Sequence, residues 1–198
     1  MNRVVFGIDF GSRLSGNTVL CIFNFGRIHF MQVDKNVDAD VFLLNAAKHF
    51  KPELVFIDAP LSLPGVYSGL HDHNDYHFRC ADKDLKAMSP MFLGGLTARA
   101  IELKDILLAQ GIAVKETFPR IMAKRMGLEP LGYKGGKLAL ITCKKEILSK
   151  MNPAIAIDWE EINSWHALDA LLSLMSALNY VSGTHKVYGC EEEGQIFV

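Results

Sequence analysis

The chain has 198 residues, with 21 Lys+Arg against 22 Asp+Glu and a formal charge of -1. That balance excludes a globally basic protein that coats nucleic acid, though not a local basic face. Hydrophobic residues at 49% and charged residues at 22% exclude a disordered chain, and no apolar run approaches the ~20 residues of a membrane span.

The length suits one domain over 1–198 with a long insertion at 60–96. Met1-Asn2-Arg3-Val4 enters an apolar run with no signal-peptide h-region, so a cytoplasmic protein without a membrane partner is expected. Cys21, Cys80, Cys143 and Cys190 form no C-x-x-C pair and read as reduced thiols.

Val4 to Phe10 reads as a first strand. Asn17–Phe25 and Arg27–Val33 read as two more, forming a hairpin at Gly26. Asp38–Phe50 reads as a helix with an acidic cap, and Leu54–Asp58 as a compact strand. Residues 60–96 are the least regular part, rich in Pro and Gly around the polar HDHNDYHFRCADKD. A loop of that length is functional or carries short helices of its own. Thr97–Gln110 reads as a helix ending at Gly111, Ile112–Glu116 as a strand, and Pro119–Met126 as a helix. Lys137–Met151 and the very apolar Ser164–Val181 read as further helices, and the tail holds a hairpin around Glu193-Gly194. The order predicts an α/β fold. Its five-stranded mixed sheet has three antiparallel strands, then parallel β-α units, with helices on both faces.

Three acids interrupt apolar segments: Asp9 and Asp58 at strand ends, and Asp169 early in the last helix. A buried carboxylate needs a partner. If the two strands are parallel neighbours, both aspartates sit on one sheet edge, where open α/β sheets bind ligands and one divalent cation can be shared. Glu116 ends a strand in the same way and is a candidate fourth acid.

Four blocks carry a resemblance: Gly7-Ile8-Asp9-Phe10-Gly11, Phe56–Pro64, Lys115–Pro119, and His166-Ala167-Leu168-Asp169-Ala170. With Arg79, Cys80 and Asp82, and with Arg99 and Glu102-Leu103, their order resembles the predicted RNase H-like nucleases catalogued as domain of unknown function 429. The resemblance spans residues 3 to 181. It implies an RNase H fold and a metal-dependent phosphodiesterase: Asp9, Asp58 and Asp169 hold Mg²⁺ or Mn²⁺, with Glu116 as a further catalytic acid. One departure is the turn Gly11–Asn17, which is nearer the phosphate-binding turn of actin-like and sugar kinases and that of Holliday-junction resolvase-like proteins. A kinase of that type needs two such domains, and the chain has room for one.

Residues 115–150 hold nine Lys/Arg and three acids, a local charge of +6 that suits a phosphate backbone. Arg79, Asp82, Arg120, Lys124 and Lys137 are the candidate substrate contacts, and nucleic acid is the expected partner. His71, His73, His77 and Cys80 are zinc-ligand types, but H-x-H-x3-H-x2-C matches no common zinc module. The loop is therefore read first as a cover over the acidic site. Two other readings are a catalytically silent binding protein of the same fold and a small-molecule phosphotransferase.

Overall fold

The structure, a computed structural model, describes residues 3–198. Its strands are β1 (Val4–Asp9), β2 (Val19–Asn24), β3 (Arg27–Gln32), β4 (Leu54–Asp58), β5 (Ala113–Glu116), β6 (Ala156–Ile157), β7 (Val187–Cys190) and β8 (Gly194–Phe197). Its helices are α1 (Ala39–Phe50), α2 (Cys80–Leu85), α3 (Pro90–Leu93), α4 (Gly95–Ala109), α5 (Pro119–Arg125), α6 (Lys137–Lys150) and α7 (Trp165–Ser182). One sheet runs β6-β3-β2-β1-β4-β5-β8-β7. Within it, β3-β2-β1-β4-β5 is the RNase H-like arrangement: β2 is antiparallel to both neighbours, and β1, β4 and β5 are parallel.

The sheet has eight strands, where five were expected. Two residues of β6 pair with the outer side of β3, and the tail hairpin joins through β8, parallel to β5. Both additions cover an edge that would otherwise leave a row of unpaired backbone groups. Neither pairing has a local signal. The β2–β3 turn does: Phe25 and Gly26 both have positive φ (47° and 81°), as a two-residue hairpin of this twist requires.

The insertion at 60–96 contains a 3-10 turn at Gly65–Ser68, then α2 and α3. Asp38 caps α1, accepting from the Asp40 and Val41 N–H groups. No helix among the described residues is long and apolar enough to cross a membrane.

Pleat parity divides the core and positions the site. Phe6 and Ile8 of β1, with Val55 and Ile57 of β4, pack with α1 and α4. Val5 of β1, with Leu54 and Phe56 of β4, faces the opposite core with α5, α6 and α7. Asp9 and Asp58 continue that second parity, so both carboxylates emerge on the α7 face. Helix α7 lies directly on β1. A Cβ at Gly7 would stand 2.1 Å from the Leu174 nitrogen and 2.6 Å from the Ala170 oxygen, so only glycine admits the helix at this height. Ser173, one residue before Leu174, donates to the Ile8 carbonyl (3.4 Å).

Candidate active site

Asp9 and Asp58 are partners in the β1–β4 register. Ser164 caps α7 by accepting from the Ala167 N–H, which fixes where the helix begins. One turn in, Asp169 points back at the strand ends. Asp9, Asp58 and Asp169 each place a carboxylate oxygen within 4.8 Å of the others. The donor set is all oxygen, as hard divalent cations prefer.

The electrostatics fit a cation. Burial, then repulsion from Asp9 and Asp169, pushes the Asp58 carboxyl well above its usual range. Burial likewise raises Asp169 to about 6, although Lys134 and Tyr133 pull it down. Tyr133 donates its hydroxyl to Asp169 Oδ1 (2.5 Å), and the Lys134 ammonium donates to Oδ2. Lys134 has a positive φ of 66°. The turn that carries it is held by Trp165, whose indole donates to the Gly135 carbonyl (2.8 Å) and whose ring meets Tyr133 edge-on. An ammonium thus already offsets the repulsion among three converging acids.

His166 was not among the expected site residues. Its Nδ1 lies 2.7 Å from Asp9 Oδ2, and this bond raises the imidazole above its ordinary value. The signal was present: His166 and Asp169 are three apart on one helix and share a face. Tyr133 and Lys134 gave no such signal, since they fall in a loop that only tertiary folding brings to α7.

Glu116 does not join the three aspartates. Its oxygens accept from Arg79 (2.7 and 2.6 Å) and from the Leu61 N–H (2.8 Å). Burial raises its carboxyl, opposed by Arg79. Arg79 and Asp82, expected at the substrate, are also in this buried network. Arg79 is fully buried, and its Nε, Nη1 and Nη2 donors all reach Asp82, Glu116 or Ser62. A guanidinium has five N–H donors, and five bonds leave none for a phosphate. Glu116, Arg79 and Asp82 therefore lock the long loop to β5, and with Asp58 they line a small cavity of about 230 Å³.

Two grooves lie nearby, the first reaching Asp9 only through His166 and the second including Asp58 and Asp169. One, of about 1140 Å³, is lined by Lys137, Lys144, Lys145, Trp159, Trp165 and His166, among others. The other, of about 790 Å³, includes Asp58, Lys86, Phe92, Arg120, Lys134 and Asp169. The basic segment 115–150 is thus split. Arg120, Lys134, Lys137, Lys144 and Lys145 line the grooves, and Lys124 lines neither. Lys115 sits over the Phe197 ring, Arg125 bonds the Val198 and Thr184 carbonyls, and Lys150 bonds the Met126 carbonyl. Part of the long loop, Lys86–Ser89 with Phe92, forms one wall of the second groove. The Gly11–Asn17 turn closes on itself through Ser15, whose hydroxyl donates to the Ser12 carbonyl.

In the loop, His71 and His77 are exposed and do not join His73 and Cys80. The pair meets Glu193 instead, from the turn between β7 and β8. Glu193 gave no signal in the sequence, because Glu191-Glu192-Glu193 reads as a solvated hairpin turn. Only Glu193 of the three turns inward.

No protein-family model and no curated protein matches the chain. Among solved structures, one described as T. thermophilus RuvC in complex with Holliday junction substrate is similar at 18% identity. The alignment covers 94% of this chain and 98% of that one, with a TM-score of 0.45.

Proposed function

We propose that this protein is a metal-dependent nuclease that hydrolyses phosphodiester bonds in nucleic acid. The observation that carries the reading is the convergence of Asp9 and Asp58, at the C-terminal ends of parallel strands, with Asp169 of α7, beside a groove that also carries Lys86, Phe92, Arg120 and Lys134. Mg²⁺ or Mn²⁺ on these carboxylates would supply an activated water and charge stabilisation at the leaving oxygen.

The chain's own residues do the rest. Asp9 orients His166 through Nδ1, leaving Nε2 free to hold or pass a proton at the edge of the site. Lys134 is half-exposed, so its ammonium is free to leave Asp169 for a scissile phosphate. Lys137, Lys144 and Lys145 position the backbone, and Trp159 and Trp165 offer faces on which unstacked bases rest.

The test is cleavage of labelled DNA and RNA oligonucleotides with Mg²⁺ or Mn²⁺. Wild type should cleave. Asp9→Asn, Asp58→Asn and Asp169→Asn should each lower the rate by on the order of 10²-fold or more while oligonucleotide binding persists. A folded wild type that binds oligonucleotides and cleaves none with either metal overturns the nuclease reading in favour of a silent binding protein.

A further inference from the structure

Away from the carboxylate site, His73, Cys80 and Glu193 each offer a ligand atom within 4.8 Å of the others. They come from three segments: the irregular stretch after the 3-10 turn, the first residue of α2, and the β7–β8 turn. Cys190, the last residue of β7, belongs to the same hairpin as Glu193 and is paired in register with Gly194.

Glu193 is 3% exposed, and among the described residues its one ion pair is with His73, whose Nδ1 lies 3.2 Å from Oε1. The Gly65 N–H donates to Oε1 (2.8 Å) and the Cys80 N–H to Oε2 (2.6 Å). Each oxygen keeps lone-pair capacity, and the two backbone bonds aim the carboxylate as outer hydrogen bonds aim metal ligands.

Two glycines let the hairpin come this close. Gly189 has φ +84°, and a Cβ there would lie 2.7 Å from the Ala81 Cβ. Gly194 has φ +108°, and a Cβ there would lie 2.1 Å from the Ser62 hydroxyl. The hairpin is therefore seated on the first turn of α2, bringing Cys190 and Glu193 to Cys80.

We propose that His73, Cys80, Cys190 and Glu193 form a zinc site with a structural role. Two sulfurs, an imidazole and one carboxylate are a zinc donor set, unlike the all-oxygen set of the three aspartates. Two thiolates, one carboxylate and Zn²⁺ leave one negative charge on the site. The ion ties residues 69–79, which hold no helix or strand, to the sheet edge. It thereby fixes the entry of Arg79, next to Cys80, into the core.

The readout is independent of nuclease activity. Reduced full-length protein, stripped with a chelator, is titrated with Co²⁺ and then Zn²⁺. One equivalent of Co²⁺ should give a near-ultraviolet sulfur-to-cobalt band that Zn²⁺ abolishes. Cys80 is exposed, so Cys80→Ser should keep the apo melting temperature. Cys80→Ser and Cys190→Ser should each remove or weaken the band and lower zinc affinity by at least about tenfold. Asp9→Asn should leave both unchanged. Reduced wild type that binds no Co²⁺ with sulfur character overturns the proposal. So does a band that survives Cys80→Ser at full strength, or one that depends on Asp9.

Discussion

Asp169 is 2% exposed and ionises at about 6, against 3.8 for a free carboxyl. A carboxyl whose folded pKa is raised contributes stability that is present below its unfolded value and lost as pH rises through the folded one. Asp58 is raised by the same burial and repulsion. His166 is raised by its Asp9 bond, and it too loses its contribution as pH rises through its folded value. All three act in one direction. Without divalent cation, the urea midpoint should therefore fall between pH 5 and pH 8, with Asp169 contributing on the order of 1–2 kcal/mol over that window. Saturating Mg²⁺ should remove most of that fall, because a cation favours the ionised carboxylates. Asp169→Asn should flatten the metal-free profile and abolish the Mg²⁺ effect. A midpoint that rises over this window without metal would contradict the assignment. At this scale Asp9, Asp58 and Asp169 were legible because each breaks an apolar run. Lys134 and Tyr133 were not, since a lysine and a tyrosine in a Gly-rich loop look the same whether they face solvent or a carboxylate.

Helix α7 and strand β1 form the contact on which the site's dimensions depend, and Gly7 is where they touch. Gly7→Ala puts a methyl group against the backbone of Leu174 and Ala170, which cannot rotate away as a side chain would. The helix must rise, so the expected loss is about 1–3 kcal/mol or more of stability. A weakened Mg²⁺ response should accompany it, because Asp169 rides on the same helix. Gly95→Ala, with nothing within 4 Å of the added Cβ, should be near neutral in the same urea titration. The extents of β1, β4, α1 and α7 follow from local pattern: apolar runs, an Asp38 cap, a Ser164 cap. The pairings of β6 and β8 do not. Two residues of β6 carry no alternation, and whether a tail hairpin joins β5 or stands free depends on a sheet edge more than 70 residues earlier. The Arg79–Glu116 pair was hidden for a related reason. Its members are separated by 37 positions, and each residue alone suits a phosphate or a metal.

Across the whole molecule a net charge of -1 conceals a face on which Arg120, Lys134, Lys137, Lys144 and Lys145 gather beside the acids. If all five neutralise phosphates of a single strand, log Kd should rise with log salt at a slope of about 3–4. Charge reversal at Lys144 and Lys145 should reduce that slope by roughly 1–2 without altering the Mg²⁺-induced rise in melting temperature. Fluorescence anisotropy across a salt series measures both, and an affinity flat with salt would exclude this face.

The same architecture also sets a schedule. His166 is made 157 positions after Asp9, its hydrogen-bond partner, with Asp169 just beyond. At roughly 5–20 residues per second, synthesis separates them by about 8–30 s. Throughout that interval β1 has no α7 to cover it, and its aspartate has no companion on a helix. A chain interrupted before α7 therefore has two strand-end carboxylates and no third, so the proposed chemistry becomes available only once α7 has emerged and folded onto β1.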